Sequence, residues 1–340
     1  MTGKRKIIIA AAAVLLLVAL GAFGAWRYLS SPYQGPDAAW VYLPHGSTRQ
    51  ALADSLKSAL GDRTGSRVAA IYGAVAKADA QLYGAYRIEP GTSAKAIAQR
   101  LVRHRQTPVR LTFNNVRTLP QLAERISSQM DFSAGEFLAA ADSLLPAAGF
   151  KAAAQYPAAF LPDTYEFYWS TGAGPTVARL LEERNRFWND SRRQKAAALG
   201  LTPVQAATLV SIAEEETNNK AERAVVARLY LNRLHKGMKL QADPTVKFAL
   251  GDFSLRRIRG EHLKVQSPYN TYNVAGLPPG PIRVADGATI DGLLNSQPHK
   301  WIYMCAKEDF SGTHNFAADY SAHMANARRY QRALNSRGIK

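Results

Sequence analysis

Three consecutive glutamates, Glu214, Glu215 and Glu216, end an apolar helical segment and are the residues best suited to acid–base chemistry. At about 100° per residue, Glu216 falls about 20° from Leu209 and therefore in the middle of the apolar face. Glu215 falls about 120° away from Leu209 and is expected to face water. The helical phasing does not determine whether Glu214 is buried or exposed.

A carboxyl group on an apolar face is costly to ionise, because burial removes the water that stabilises its charge. The pKa of such a group rises above its usual value of about 4.3, and the neutral form can donate a proton. Glu216 is therefore the candidate general acid. The alternatives are a glutamate paired with a nearby arginine and a frayed helix end exposed to solvent.

Uncharged polar and aromatic side chains follow the glutamates in the segments LQADPTV, YNTYNVAGLPPGPI and GTHNF. Amides, hydroxyls and aromatic rings suit the recognition of a polyhydroxylated, N-acetylated polymer. The candidate substrate-binding residues of these segments are Gln241, Asp243, Thr245, Asn270, Tyr272, Asn273, His314 and Phe316. Upstream, Asp163 and Tyr165 belong to FLPDTYEFY, where Pro162 and Asp163 predict a turn. This aromatic cluster is either core packing or the wall of a sugar cleft.

The sequence excludes several other kinds of site. No spacing of His, Asp and Glu is typical of a metal site, and no cofactor is expected. No G-x-S-x-G, Walker or G-x-G-x-x-G motif is present. A single cysteine, Cys305, excludes a disulfide scaffold and a thiolate metal site. A net charge of +17 indicates an acidic partner, such as nucleic acid, anionic lipid or a carboxylate-bearing polymer.

Helix start signals define the elements that must position the glutamates. Thr202 as the N-cap, Pro203 at the first helical position and Gln205 in a capping box predict a helix that runs through the glutamates. A second helix is predicted after Asn219, with Glu222 in another capping pattern.

The N-terminus predicts a membrane anchor. Residues 7–26 are uncharged and apolar, and as a helix they span about 30 Å, the thickness of a hydrocarbon core. Trp26 and Tyr28 follow as interfacial aromatic residues, and the basic residues 4–6 predict a cytoplasmic N-terminus. The alternative is a cleavable signal peptide, whose apolar region is shorter. A single-pass protein with its body outside the cytoplasm argues against nucleic acid as the partner.

An internal repeat follows the anchor. Segments 43–56 and 88–101 both run from an apolar strand through a proline, a glycine and a hydroxyl residue into an amphipathic helix, and a degraded third copy starts at Val109. Such strand–helix units resemble LysM-like glycan-binding modules. The expected α+β chain consists of a basic tip (1–6), a transmembrane anchor (7–29), one or more LysM-like modules (33–115), a helical connecting region (116–200) and a mixed α+β catalytic domain (201–340).

The order of the motifs resembles the YceG-like family of endolytic murein transglycosylases. The resemblance is carried by EEET, NRL, LQADPTV, YNTYNVAGLPPGPI and H-x-F, with PDTY and the anchor upstream, and it covers essentially the whole chain. The family pattern E-K-E-T implies that Glu216 is the catalytic acid/base, and this chain has Glu215 where lysine is usual. A LysM-like module ahead of the catalytic domain is also implied.

The resemblance implies a lytic transglycosylase, which needs one carboxyl group where ordinary glycosidases use two. Glu216 would protonate the oxygen between N-acetylmuramic acid and N-acetylglucosamine, and then accept the proton of the attacking muramyl 6-hydroxyl to leave a 1,6-anhydro end. The implied partners are peptidoglycan strands, the inner membrane and wall-synthesis enzymes, with the catalytic domain on the periplasmic or wall side. The alternatives are a hydrolase that uses water and a non-catalytic wall-binding scaffold.

Overall fold

The computed structural model describes residues 3–255 and 257–338, and in them helices predominate and strands pair in twos. The strands are β1 (Ala39–Leu43), β2 (Gly84–Ile88), β3 (Val109–Phe113), β4 (Asp163–Phe167), β5 (Tyr303–Ala306) and β6 (His314–Ala317). The helices are α1 (Gly3–Leu29), α2 (Arg49–Leu60), α3 (Asp62–Val75), α4 (Ala94–Val102), α5 (Leu119–Ser127), α6 (Ala134–Leu144), α7 (Ala173–Phe187), α8 (Asp190–Ala198), α9 (Pro203–Glu216), α10 (Lys220–His235), α11 (Asp243–Leu250), α12 (Gly287–Leu294) and α13 (Tyr320–Ser336). Short 3₁₀ helices cover Ala153–Ala159 and His262–Lys264. The predicted α+β class is confirmed.

The chain divides into two compact units. The first comprises the residues up to Leu111 together with Gln129–Asp131 and Tyr165–Gly172, and the second comprises the rest. In the first unit β1 and β2 pair antiparallel, with Ala39 opposite Ile88. Helices α2, α3 and α4 supply the core beside this sheet through Leu52, Leu56, Val68, Ile97 and Leu101.

All three predicted strand–helix units form in the structure, as β1–α2, β2–α4 and β3–α5. The helices are capped by the side chains of Thr48, Ser93 and Thr118, as the hydroxyl residues of the repeat predict. In the first two copies the glycine of the repeat has a positive φ. Asn115 (φ 51°) takes a left-handed conformation in the third copy, where that glycine is missing. The likeness of the units to LysM modules stays a prediction.

Helix α1 is long and apolar enough to cross a membrane. Its stretch Ile7–Leu29 has a mean hydropathy of 2.8, and its side chains are exposed rather than packed in a core. The orientation of such an anchor stays a prediction.

Helix α9 is the centre of the second unit. It packs against α10, α11 and α12, and every residue from Ala206 to Glu214 is buried. The predicted capping box between Thr202 and Gln205 is confirmed. Because α9 is buried on all sides along this stretch, the prediction of a single apolar face was wrong.

The segment expected to turn at Pro162 and Asp163 is instead a strand. Asp163 begins β4, which pairs with β3. The β-branched and aromatic residues of DTYEF favour an extended conformation, and the last of them, Phe167, is buried. The predicted helical connecting region therefore contains a strand besides α5–α8.

Candidate active site

The first of the three glutamates, Glu214, is a fully buried ion-pair partner. Its Oε2 lies 3.2 Å from Nε of Arg283, and its Oε1 lies 4.0 Å from Nη1 of Arg223. The backbone N–H of Asp286 also donates to Oε1, at 3.2 Å. Burial raises the pKa of the Glu214 carboxyl, although these partners act in the opposite direction. Glu214 thus connects α9 to the segment that precedes α12.

The second glutamate, Glu215, binds two arginines. Its Oε2 accepts hydrogen bonds from Nε and Nη2 of Arg117 at 3.0 and 2.9 Å, and its Oε1 accepts one from Nη1 of Arg283 at 3.1 Å. Its side chain is 15% exposed. The prediction that Glu215 faces water was wrong, because both arginines come from distant parts of the sequence and cover its carboxylate.

The third glutamate, Glu216, opens onto a cavity of about 550 Å³. The hydroxyl of Tyr230 on α10 donates a hydrogen bond to its Oε2 at 3.0 Å. In the part of the chain that the structure describes, Glu216 takes part in no ion pair, in contrast to its two neighbours. Among the three carboxyl groups, it is the one positioned to meet a ligand.

The surroundings of Glu216 favour its neutral form. Burial raises the pKa of this carboxyl, and the negative charge of Asp243 raises it further. The hydrogen bond from Tyr230 and the nearby side chains of His314 and Lys247 act to lower the pKa, but the net shift is upward. A carboxyl group whose neutral form is favoured in this way can act as a proton donor.

The cavity is formed by the end of α9, by α10, by the start of α11 and by the β5–β6 hairpin with α13. Its other lining residues are Leu229, Tyr230, Arg233, Leu240, Gln241, Asp243, Tyr272, Tyr303, Met304, Cys305, Ala306, His314, Tyr320 and His323. Four of the predicted binding residues therefore lie around Glu216, namely Gln241, Asp243, Tyr272 and His314.

Sequence reasoning missed Tyr230, Arg233, Tyr303 and Tyr320. Tyr230 follows Val226 by one helical turn on the buried side of α10. A tyrosine hydroxyl within this apolar pattern was the signal that could have identified it. The imidazole of His323 stacks on the ring of Tyr303 with centres 5.1 Å apart. These rings give the cavity an aromatic wall.

Two polar pairs hold Gln241 and Asp243, which lie at and just before the start of α11. Nη2 of Arg233 donates to Oε1 of Gln241 at 2.5 Å, and the same guanidinium binds the carbonyl oxygens of Lys239 and Ile302. The hydroxyl of Tyr272 donates to Oδ1 of Asp243 at 2.7 Å. Burial, together with the carboxylate of Asp243, raises the pKa of Tyr272, so this phenol stays a donor.

Three predicted binding residues instead hold the loop that packs against α11. The hydroxyl of Thr245 is buried and lies 2.8 Å from that of Thr271. The amide nitrogen of Asn270, also fully buried, donates to the carbonyls of Leu263 and Val265 at 2.9 Å. Asn273 donates to the same Leu263 carbonyl at 3.0 Å. The structure places these side chains outside the cavity wall.

The remaining candidates, Phe316, Asp163 and Tyr165, are not among the residues that line the cavity. Phe316 stacks on Trp301, with ring centres 5.2 Å apart. Asp163 is exposed and accepts a hydrogen bond from the backbone N–H of Thr164. Tyr165 belongs to the first unit, whereas Glu216 belongs to the second.

Glu222, expected to cap α10, instead binds His314. Its Oε1 accepts the backbone N–H of His314 at 2.9 Å, and its Oε2 lies 2.9 Å from Nδ1 of the same residue. The cap of α10 is provided by the side chain of Asn219 alone. Since Nδ1 is engaged, the ring nitrogen of His314 left for a ligand is Nε2.

Comparisons with known proteins agree with these motifs. The sequence profile of the YceG-like family matches residues 41–329. The endolytic murein transglycosylase of Bacillus subtilis is 40% identical over 102 residues, which are 30% of this chain and 28% of that protein. The enzyme of the same name from Streptococcus pneumoniae strain D39 is 26% identical over 152 residues, 43% of this chain and 27% of that protein. The matches thus span little more than a quarter of the length of these relatives.

A solved structure shares the fold. The crystal structure of a YceG-like protein from Listeria monocytogenes superimposes with a TM-score of 0.54 and 24% sequence identity. The match covers 86% of this chain and 99% of that one.

Proposed function

The chain belongs to the YceG-like family, and from this premise we propose that it is a membrane-anchored lytic transglycosylase of peptidoglycan strands. The observation that carries the proposal is the environment of Glu216. Its carboxyl group faces the cavity, has a raised pKa and receives a hydrogen bond from Tyr230, whereas the two neighbouring glutamates bind arginines. The names of the curated relatives support the same activity.

The reaction proceeds in two proton transfers at Glu216. The neutral carboxyl donates its proton to the glycosidic oxygen, and the bond from that oxygen to the anomeric carbon of the muramyl residue breaks. The resulting carboxylate, stabilised by the Tyr230 hydroxyl, accepts the proton of the muramyl 6-hydroxyl as its oxygen bonds to the anomeric carbon. The carboxyl group is regenerated, the product carries a 1,6-anhydro end, and no water is consumed.

Other cavity residues hold the sugar chain during this reaction. Asp243 and Tyr272 present a carboxylate and a phenol that suit sugar hydroxyls and acetamido groups. The rings of Tyr303 and His323 line the cavity and supply aromatic surface for the apolar side of a sugar ring. The antiparallel β1–β2 pair with α2 and α3 supports a LysM-like role for the first unit, with glycan strands as its ligand.

The proposal is tested by digesting purified peptidoglycan sacculi with the full chain in detergent and weighing the products. Anhydro ends are lighter by one water than the reducing ends that a hydrolase leaves. Anhydromuropeptides are the expected products. Reducing ends would favour the hydrolase alternative, and strands that are bound but not cleaved would favour the scaffold alternative.

Asp243→Asn is expected to lower turnover by about tenfold or more, because a charge-assisted hydrogen bond to the sugar is lost. The variant also removes a charge that raises the pKa of Glu216. Glu216 then ionises at a lower pH, so the alkaline limb of the pH–activity profile should move to lower pH.

The matched comparison is Asn270→Ala, which removes the side-chain donor to the Val265 carbonyl and leaves the Leu263 carbonyl with the Asn273 amide alone. This variant should lose about 2 kcal/mol or more of unfolding free energy, and Asp243→Asn less than that. Activity assays and urea unfolding of both variants distinguish a residue needed for turnover from one needed for stability. A stable but inactive Asn270→Ala protein would contradict the placement of these residues.

Glu222→Gln is expected to reduce kcat by about tenfold, because the imidazole of His314 loses the carboxylate that fixes its orientation. Glu222→Asp should recover part of the activity, and Glu124→Gln, at an exposed position of α5, is the control. Kinetics and the pH profile of each variant are compared. An unchanged kcat and profile for Glu222→Gln would remove Glu222 from the positioning of His314.

Membrane anchoring through α1 predicts that the full-length protein resists salt extraction from membranes. A reporter fused after Lys340 should be active outside the cytoplasm, since the basic residues 4–6 favour an internal N-terminus. Release by salt, or a reporter active only inside, would contradict this topology.

Binding of wall-synthesis enzymes as partners stays a prediction.

A further inference from the structure

A groove lies where the C-terminal end of α1 meets the start of α3. It has a volume of about 690 Å³ and is completed by residues of the segment 30–34. Its aromatic and charged lining residues are Phe23, Trp26, Arg27, Tyr28, Arg63 and Arg67. All of them belong to the first unit.

The groove has the charge of an anion-binding site. Three guanidinium groups line it, those of Arg27, Arg63 and Arg67, and no carboxylate does. Within residues 3–255 and 257–338, these arginines take part in no ion pair. The guanidinium carbon of Arg67 lies 4.7 Å from the centre of the Tyr28 ring, and its Nε is buried and has no hydrogen-bond partner among the described residues. Since clustered guanidinium groups repel one another, an anion with several acceptor oxygens fits this site.

The position of the groove along α1 indicates which anion. Phe23 and Trp26 belong to the last turns of the apolar stretch Ile7–Leu29, whereas Ser31 and Gln34 lie beyond it. Tryptophan and tyrosine at the end of a transmembrane helix lie at the level of the lipid headgroups. The groove therefore extends from the edge of the hydrocarbon to the aqueous side, and its arginines lie at the depth of lipid phosphates.

We propose that this groove binds the phosphate of an anionic phospholipid, with the acyl chain along Phe23 and Trp26. This inference rests on the membrane anchoring proposed above. A soluble phosphate would meet the same arginines but would leave the aromatic end of the groove unfilled. The positive net charge of the chain, +17, also favours association with an anionic membrane surface.

The test uses the full chain in nanodiscs of phosphatidylcholine that contain a minority of phosphatidylglycerol. After release into mild detergent, native mass spectrometry counts the phospholipids that each protein molecule retains. The wild type should retain phosphatidylglycerol, enriched about tenfold over its share of the bilayer. Arg63→Gln/Arg67→Gln should abolish the enrichment, whereas the control Arg103→Gln/Arg105→Gln, with the same loss of charge at exposed positions, should keep it.

Three results would overturn the proposal. Equal retention of both lipids by the wild type excludes a headgroup site, and equal loss in both double variants reduces the effect to net charge. If inorganic phosphate raises the Tm of the protein as much as phosphatidylglycerol does, the groove is a general anion site instead. If the chain does not enter nanodiscs at all, the proposed membrane anchoring is wrong. This failure is distinguishable from failure of the lipid site, because it is seen before any lipid is counted.

Discussion

Glu216→Gln should reduce the release of anhydromuropeptides by about 10⁴-fold or more. Removing a general acid or base costs about 10²–10⁴-fold, and here one group serves both proton transfers, so the loss should reach the upper end of that range. Glutamine keeps the shape of the side chain and can still accept the hydrogen bond from Tyr230. The measurement is the rate of release from sacculi, with Glu124→Gln as the control for an exposed glutamate.

Glu216→Gln should also change how the stability of the protein depends on pH. The folded-state pKa of Glu216 is raised, so its protonated form is favoured in the native protein and stability is lost as the pH rises above the unfolded value of about 4.3. Glutamine removes this loss. The variant should therefore be at least as stable as the wild type at pH ~7, and its advantage should shrink towards pH ~4. A variant that unfolds more easily at pH ~7 would show that Glu216 is structural.

Arg283→Met should have the largest effect on stability, about 3–5 kcal/mol of unfolding free energy, because it leaves buried Glu214 without its closest cation. It also removes one of the two arginines that bind Glu215. Urea unfolding of the detergent-solubilised chain measures the loss. Arg179→Met, which breaks a half-exposed pair on α7, is the control and should cost at most about 1 kcal/mol.

The pH dependence of Arg283→Met distinguishes a lost charge partner from lost packing. Without Arg283, the folded-state pKa of Glu214 rises further, so more stability is lost as the pH increases from about 4.3 towards neutrality. The deficit should therefore be larger at pH ~7 than at pH ~4, and Glu214→Gln in the same chain should recover part of it. A deficit that is the same at both pH values would point to packing instead.

Local sequence signals predicted where several helices begin. The capping box from Thr202 to Gln205 begins α9, and the hydroxyl caps of the repeat begin α2, α4 and α5. These predictions succeed because a cap depends on residues within one helical turn. The side of α9 on which each glutamate lies could not be predicted in this way. Arg117 and Arg283 are 98 and 68 residues from Glu215 in sequence, and nothing local indicates that they meet it.

Residue type also could not separate the residues that line the cavity from those that hold the loop beside it. Asn270 and Asp243 are both polar residues in motifs of the family, but the Asn270 amide is buried against loop carbonyls and Asp243 lines the cavity. Tyr230 and Glu222 were missed as partners of the site for a related reason. Each lies on α10 in a helical pattern, and only the tertiary structure shows that Tyr230 touches Glu216 and that Glu222 touches His314.

The most direct test of the account is the digestion of purified glycan strands by the full chain in water labelled with the heavy oxygen isotope. Mass spectrometry then reads the new muramyl ends. If Glu216 delivers the 6-hydroxyl to the anomeric carbon, the ends are anhydro sugars without the isotope, and Glu216→Gln yields almost none. Reducing ends that carry one heavy oxygen, or anhydro ends released at the normal rate by Glu216→Gln, would contradict the account.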